Sequence, residues 1–194
     1  PFLDELTPIA QELGNVNTIV RRDGRLIGHN TDYFGFETML RESGLQVAGK
    51  KVLVLGSGGA SNTAAAVLKA QNANVVIISR SGENNYENLH LHSDAAVIVN
   101  ATPVGMYPNV GISPVNLAQL PALEGVLDLI YNPAWTQLLL DAESRGFVAC
   151  NGLEMLVAQA KESAEWFTGA AISDDVVPAI HRQLQNQMEN IVLI

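Results

Sequence analysis

The sequence predicts an α/β fold, a doubly wound and mostly parallel sheet preceded by the trailing part of a small α/β segment. Three observations carry this. Short continuous apolar runs recur at 51–55, 74–79, 95–100 and 126–131, the pattern of strands buried on both faces. Helical stretches lie between them, and strands that alternate with helices build a parallel sheet covered on both sides. A glycine-rich turn, Gly56-Ser57-Gly58-Gly59-Ala60, follows the first run directly and opens an Ala-rich helix. With 47% hydrophobic and 16% charged residues, the chain has material for a core and too little charge for disorder.

Taken in order, residues 2–14 carry apolar positions at Phe2, Leu3, Leu6, Ile9, Ala10 and Leu13, which predicts a helix closed by Gly14. Two short strands follow at 17–22 and 25–30. The Asp23-Gly24 pair between them tolerates positive φ at both positions, which makes a hairpin. A helix over 32–43 stops at Gly44. After Gly49 the strand–helix alternation begins, with helices at 61–71, 134–145, 153–167 and 174–189. Ser173 is the expected N-cap of the last, with Asp174 and Asp175 in its first turn. The expected organisation is a leading segment (1–48), a nucleotide-fold domain (49–170), a C-terminal helix (171–190) and a separate strand at 191–194.

Composition narrows the classes of function. A net charge of −9, from 20 acidic and 11 basic residues, argues against nucleic acid or an anionic membrane as partner. No apolar run approaches the ~20 residues of a membrane span. The single cysteine, Cys150, cannot form an intrachain disulfide and reads as a small apolar packing residue, which fits a reducing, cytoplasmic setting. No metal-ligand spacing is present beyond His90-x-His92, which reads as a pair of solvated loop residues.

The glycine turn is where chemistry first shows. A dinucleotide pyrophosphate must approach backbone N–H groups closely; one glycine supplies the bend, a second removes the blocking side chain, and the helix N-terminus supplies donors. Gly56 and Gly58 stand in those roles, in the strand–turn–helix context of a Rossmann-like domain. The third position of the fingerprint is Ser61, a looser match. The second strand ends in Ser79-Arg80-Ser81 without a carboxylate. No negative charge there repels a 2′-phosphate, and Arg80 can hold one, so NADP is favoured over NAD.

Several motifs then coincide: Asn15-Val16-Asn17-Thr18, Gly28-His29-Asn30-Thr31-Asp32, the glycine turn, Asn100-Ala101-Thr102-Pro103-Val104-Gly105-Met106, Tyr131-Asn132-Pro133, and Gly152 through Met155 to Gln159 and Ala160. In this order the chain resembles the shikimate dehydrogenases, which reduce 3-dehydroshikimate to shikimate with NADPH on the route to aromatic amino acids. The resemblance implies that Asp32 is the aspartate of a catalytic Lys–Asp pair. It implies that Asn17, Thr31, Asp32, Tyr131 and Gln159 contact the substrate. It also implies that Gly56, Ser57, Gly58, Gly59 and Ala60 hold the pyrophosphate and Ser79, Arg80 and Ser81 the 2′-phosphate. Thr102, Leu129, Gly152 and Met155 would line the nicotinamide end. Read alone, several of these have plainer roles: Asp32 as a helix N-cap, Asn17 as a turn residue, Tyr131 and Met155 as core, Gln159 as a surface helix residue.

The chain departs from that pattern in three places. The family's catalytic lysine stands ahead of the Asn17 motif, whereas the four lysines here are Lys50, Lys51, Lys69 and Lys161. A fragment that binds NADP(H) with little or no turnover is therefore expected, and an inactive nucleotide-binding module or a quinate-type dehydrogenase are the competing readings. The segment 82–94 is short and lacks a second basic residue after Arg80. Finally, Ile191-Val192-Leu193-Ile194 resembles the first strand of shikimate kinase, which suggests a fusion to that enzyme.

Overall fold

The computed structural model describes residues 2–191. The chain divides into two compact units, Met39–Leu153 and the pair of segments Pro1–Thr38 and Glu154–Ile194.

In the first of these units five strands form one parallel sheet. They are numbered with the whole chain: β4 (Lys51–Leu55), β5 (Asn74–Ile78), β6 (Val97–Asn100), β7 (Gly125–Asp128) and β8 (Val148–Cys150), in the spatial order β5-β4-β6-β7-β8. Val52, Leu53, Val54 and Leu55 of β4 and all of β6 are buried, as central strands must be, whereas β5 is only partly covered at the edge. Helix α3 (Gly59–Ala70) buries Ala64, Ala65, Val67 and Leu68, and α4 (Gln137–Ser144) buries Leu138, Leu139 and Ala142. The chain passes from β5 across β4 to β6, so the strand order reverses between β4 and β6. Ligands of open parallel sheets bind at that reversal, beyond the C-terminal ends of the strands.

Several boundaries differ from expectation. The glycine turn is shorter than the sequence suggests, because α3 already starts at Gly59. Helix α4 starts only at Gln137, where Thr136 caps it by accepting from Leu139 N at 3.3 Å. Strand β7 stops at Asp128, whose side chain turns the chain by accepting from Ile130 N. Strand β8 has no counterpart among the predicted strands. Its three residues follow Gly146 without an apolar run long enough to stand out, and pairing with β7 makes them a strand.

The other unit holds β1 (Glu5–Leu6), α1 (Pro8–Leu13), β2 (Thr18–Arg22) and β3 (Arg25–His29), the start of α2 (Asp32–Glu42), nearly all of α5 (Leu153–Thr168), and α6 (Val176–Ile191). Its sheet runs β1-β3-β2, with β1 parallel and β2 antiparallel to β3. The hairpin is as expected, with Asp23 at φ 50° and Gly24 at φ 79°. The single helix expected over 2–14 is not formed. Glu5 and Leu6 pair with Ile27 and Gly28, and Asp4 Oδ2 accepts from Leu26 N at 2.7 Å. Only Pro8–Leu13 is helical, because the residue before a proline is driven to extended backbone and Thr7 there becomes the N-cap.

Helices α5 and α6 pack through Val157, Ala158, Val177 and Leu184 together with Phe34 of α2. His29 stacks on Trp166 with ring centres 4.2 Å apart, and Trp166 Nε1 donates to Glu162 at 3.1 Å. Helix α5 thus belongs with the leading segment, whereas the sequence predicts it inside a domain 49–170. Helix α6 begins two residues later than expected, after a tight turn in which Val176 N donates to Ser173 O. It continues through Asn190 and Ile191, so Ile191 is helical where a strand is predicted; Val192, Leu193 and Ile194 lie outside the described residues.

Candidate functional site

Strand β4 runs into Gly56, whose φ of 114° turns the chain; a Cβ there would lie 3.0 Å from the Ala101 carbonyl at the end of β6. The turn and β6 therefore touch backbone to backbone. Ser61 explains the loose third position of the fingerprint. It is fully buried, and its hydroxyl donates to Gly56 O at 2.7 Å, pinning the turn from inside α3. Gly58 is the N-cap of α3. It has no side chain to bond the first N–H groups, and a Cβ built on it would meet open space. The N-terminal end of a 12-residue helix carries partial positive charge and N–H donors, which suits an anion.

This turn forms one wall of a cleft of about 610 Å³, lined also by Ser79, Arg80, Tyr86, Thr102 and Val104. Ser79 is half-buried at the end of β5, while Arg80 and Ser81 are exposed. A second cleft of about 330 Å³ shares Ala101, Thr102 and Pro103 with the first and adds Ala60, Met106, Leu129 and Tyr131. Tyr131 is 43% exposed, so it is not a core aromatic. Gly152 has a packing role as well: a Cβ there would stand 2.1 Å from Leu129 O, and its N–H donates to Ile130 O at 3.0 Å.

Beneath the two clefts lies a buried polar network that the sequence does not announce. Asn100 Oδ1, at the end of β6, accepts from Thr102 N at 3.1 Å and from Thr102 Oγ1 at 2.7 Å. Asn100 Nδ2 donates to Asp128 Oδ1 at 3.0 Å, and Thr136 Oγ1 donates to Asp128 Oδ2 at 2.7 Å. Burial pushes the Asp128 carboxyl up to about 6, against the pull of its Thr136, Ile130 and Asn100 donors. The network fixes Thr102 between the clefts. Only the pairing of strand-end Asn100 with Thr102 two residues later could have hinted at it.

The other predicted residues gather in the second unit. Asn17 Oδ1 accepts from Thr31 N at 2.9 Å and Asn17 Nδ2 donates to Thr31 Oγ1 at 3.0 Å, so Asn17 is more than a turn residue. Thr31 Oγ1 lies 2.9 Å from Ser163 Oγ and 3.4 Å from Gln159 Oε1. Ser163, one helical turn beyond Gln159, escapes a reading of the sequence because a serine among Glu and Ala looks like solvated helix. Gln159 is partly buried, not a surface residue, and its Nε2 donates to Leu156 O. Gly35 lets α2 and α5 touch, since a Cβ there would stand 2.7 Å from Met155 O. Met155 is thus held by its backbone against α2 and is partly buried.

Asp32 is not the cap of its helix. Asn30 Oδ1 does that work by accepting from Tyr33 N at 3.2 Å. Burial raises its pKa above the usual range, and a hydrogen bond from Asn17 opposes the rise. Among the described residues Asp32 has no ion pair. Lys50 pairs with Glu124, Lys51 with Asp94, and Lys161 with Glu165 and Asp174. The His90-x-His92 reading needs correction. His92 is buried and its Nε2 lies 3.1 Å from Asn84 Oδ1, because a 3-10 turn at Leu89–His92 folds it inward. Cys150 is half-buried, and burial raises its thiol pKa. Among the described residues no cluster of three His, Cys, Asp or Glu could hold a metal, and no helix is long and apolar enough to cross a membrane.

No protein-family model matches the chain. It is 37% identical to the shikimate dehydrogenase (NADP(+)) of Symbiobacterium thermophilum, over 91% of this chain and 68% of that protein. Among solved structures it resembles a chorismate mutase/shikimate 5-dehydrogenase fusion protein from Clostridium acetobutylicum, with a TM-score of 0.90 and 34% identity over 97% of this chain and 73% of that one. It also resembles the shikimate 5-dehydrogenase of Thermus thermophilus in complex with NADP(H) and shikimate, with a TM-score of 0.82 and 31% identity over 93% of this chain and 72% of that one.

Proposed function

Because this chain belongs to the shikimate dehydrogenase family, we propose that it binds NADP(H) where β4 and β6 end and serves the reduction of 3-dehydroshikimate to shikimate in aromatic amino-acid synthesis. The observation that carries this reading is the glycine turn at the reversal of strand order, pressed against Ala101 and open in front of Gly58. The residues present suit such a cofactor: a large cleft, a helix N-terminus without a side-chain cap, and an arginine at the end of the second strand.

Bound NADPH supplies hydride to a carbonyl carbon. The chain's own residues bind, orient and manage the proton. Gly56, Ser57, Gly58, Gly59 and Ala60 are assigned to the pyrophosphate, and Ser79, Arg80 and Ser81 to the 2′-phosphate. Thr102, held by Asn100, is assigned to the nicotinamide end, as are Leu129, Gly152 and Met155. Asn17, Thr31, Gln159 and Tyr131 offer amide and hydroxyl groups to a hydroxyl-rich ring. Asp32 accepts from a substrate hydroxyl and, when a lysine ammonium is supplied beside it, holds that proton donor in place.

No lysine stands with Asp32 among the described residues, so a polypeptide of residues 1–194 is expected to turn over 3-dehydroshikimate about 100- to 10,000-fold more slowly than the Symbiobacterium relative. The measurement is NADPH oxidation in the presence of 3-dehydroshikimate. Turnover equal to that of the relative would refute the role given to Asp32. Relatives that carry a second enzyme on the same chain make a fusion to shikimate kinase a further proposal. A Gly-x-x-x-x-Gly-Lys-Ser/Thr pattern soon after residue 194 is its expected sign.

A further inference from the structure

The cleft that holds the glycine turn has one wall that neither the turn nor the end of β5 supplies. Tyr86, half-buried, lines the same space as Ser79 and Arg80 while its ring packs on the hydrophobic core. The guanidinium of Arg80 is near enough for its charge to favour the phenolate of Tyr86, although burial outweighs it and raises the phenol's pKa. Tyr86 and Arg80 therefore line one ligand space.

The loop that carries Tyr86 is built to hold it there. Ser79 N donates to Asn84 O at 3.1 Å, closing the chain back on the end of β5. Asn85 N donates to Asn88 Oδ1 at 2.8 Å, and Asn88 Nδ2 donates to Glu83 O at 2.8 Å, so the residues on both sides of Tyr86 are tied together. Buried His92 anchors the same loop through Asn84 Oδ1. This fastening gives the three asparagines and His92 a common purpose, and it leaves little freedom for Tyr86 to lose when a ligand binds.

Charge sharpens the point. No Lys or Arg occurs between Arg80 and Arg145, and the loop itself carries Glu83 and Glu87. A phosphate monoester has three terminal oxygens, and one guanidinium engages at most two of them. A neutral O–H in the wall beside Arg80 can serve the remaining oxygen without adding repulsion. We propose that Tyr86 is a specificity-determining residue, whose phenol O–H donates to the 2′-phosphate held by Arg80 and so selects the phosphorylated cofactor.

This rests on the NADP reading above, and the test separates the two. The probes are NADPH, NADH and adenosine 2′-monophosphate, titrated into the wild-type chain and the Y86F and R80M variants, with binding read by nicotinamide fluorescence and by calorimetry. Y86F keeps the ring and its packing and removes only the donor. It should weaken NADPH and adenosine 2′-monophosphate about tenfold, as expected for a hydrogen bond to a charged group, and leave NADH within about twofold. R80M should weaken the same two probes further. If Y86F leaves NADPH binding unchanged, or weakens NADPH and NADH alike, the proposal fails while a wild-type preference for NADPH keeps the NADP reading. If the wild-type chain binds NADPH and NADH equally, both fall.

Discussion

Asp128 shows how much a single side chain can hide in a sequence. It ends an apolar strand and reads as the first polar residue of a loop, yet it is fully buried and takes hydrogen bonds from three residues. Its partners Asn100 and Thr136 are 28 and 8 residues away, so only the folded sheet brings them together. The carboxyl is raised from the ordinary 3.8 to about 6, and that fixes the sign of its effect on stability. The unfolded chain releases this proton near pH 4 and the folded chain near pH 6, so the stabilisation by the protonated form is complete below pH 4 and is lost as pH rises through 6. The difference amounts to about 3 kcal/mol. Urea unfolding at pH 4.5 and pH 7.5 should show D128N losing less stability across that interval than wild type; equal losses would contradict the assignment. By contrast Gly56, Gly58 and Arg80 are legible from sequence, because their requirements are local: a bend, an open space and a strand-end charge.

Elements are legible where the signal is long and internal. Strands β4, β5 and β6 and helix α3 follow from apolar runs and from the glycine turn. Legibility fails where a partner far along the chain decides the outcome. Residues 5–6 have helical apolar spacing, but β3 offers an edge and Pro8 confines the helix to the residues after Thr7. Strand β8 is three residues long and exists through β7. At this scale Gly152 is the sharpest point of contact, where the chain leaving β8 presses on the backbone beyond β7. A methyl group there would stand 2.1 Å from a carbonyl oxygen that no side-chain rotation can move. G152A should cost about 3 kcal/mol or more in urea unfolding. A cost below about 0.5 kcal/mol would mean that the backbone yields at this point.

For the whole chain, the order of motifs carries more than any single element does. The α/β class and the parallel sheet follow from alternation, but the assignment of 154–191 to the unit of the leading segment does not, because it depends on Phe34 packing with Val157, Ala158 and Val177. The site divides in the same way. The roles proposed for Asn17, Thr31 and Gln159 come from motifs in the sequence, while Ser163, Asn100 and Asp128 draw theirs from neighbours distant in sequence. The central claim is that the glycine turn holds a dinucleotide, and Gly58 tests it cleanly. Its φ of −90° and ψ of −174° suit any residue, and an added Cβ meets open space. G58V should therefore still fold, with unfolding lowered by no more than about 4 °C, the cost of a poorer N-cap residue on α3. NADPH binding should nonetheless fall at least about a hundredfold, because the isopropyl group fills the space where the pyrophosphate approaches the helix. A G58V protein that unfolds normally and binds NADPH as tightly as wild type would contradict the claim.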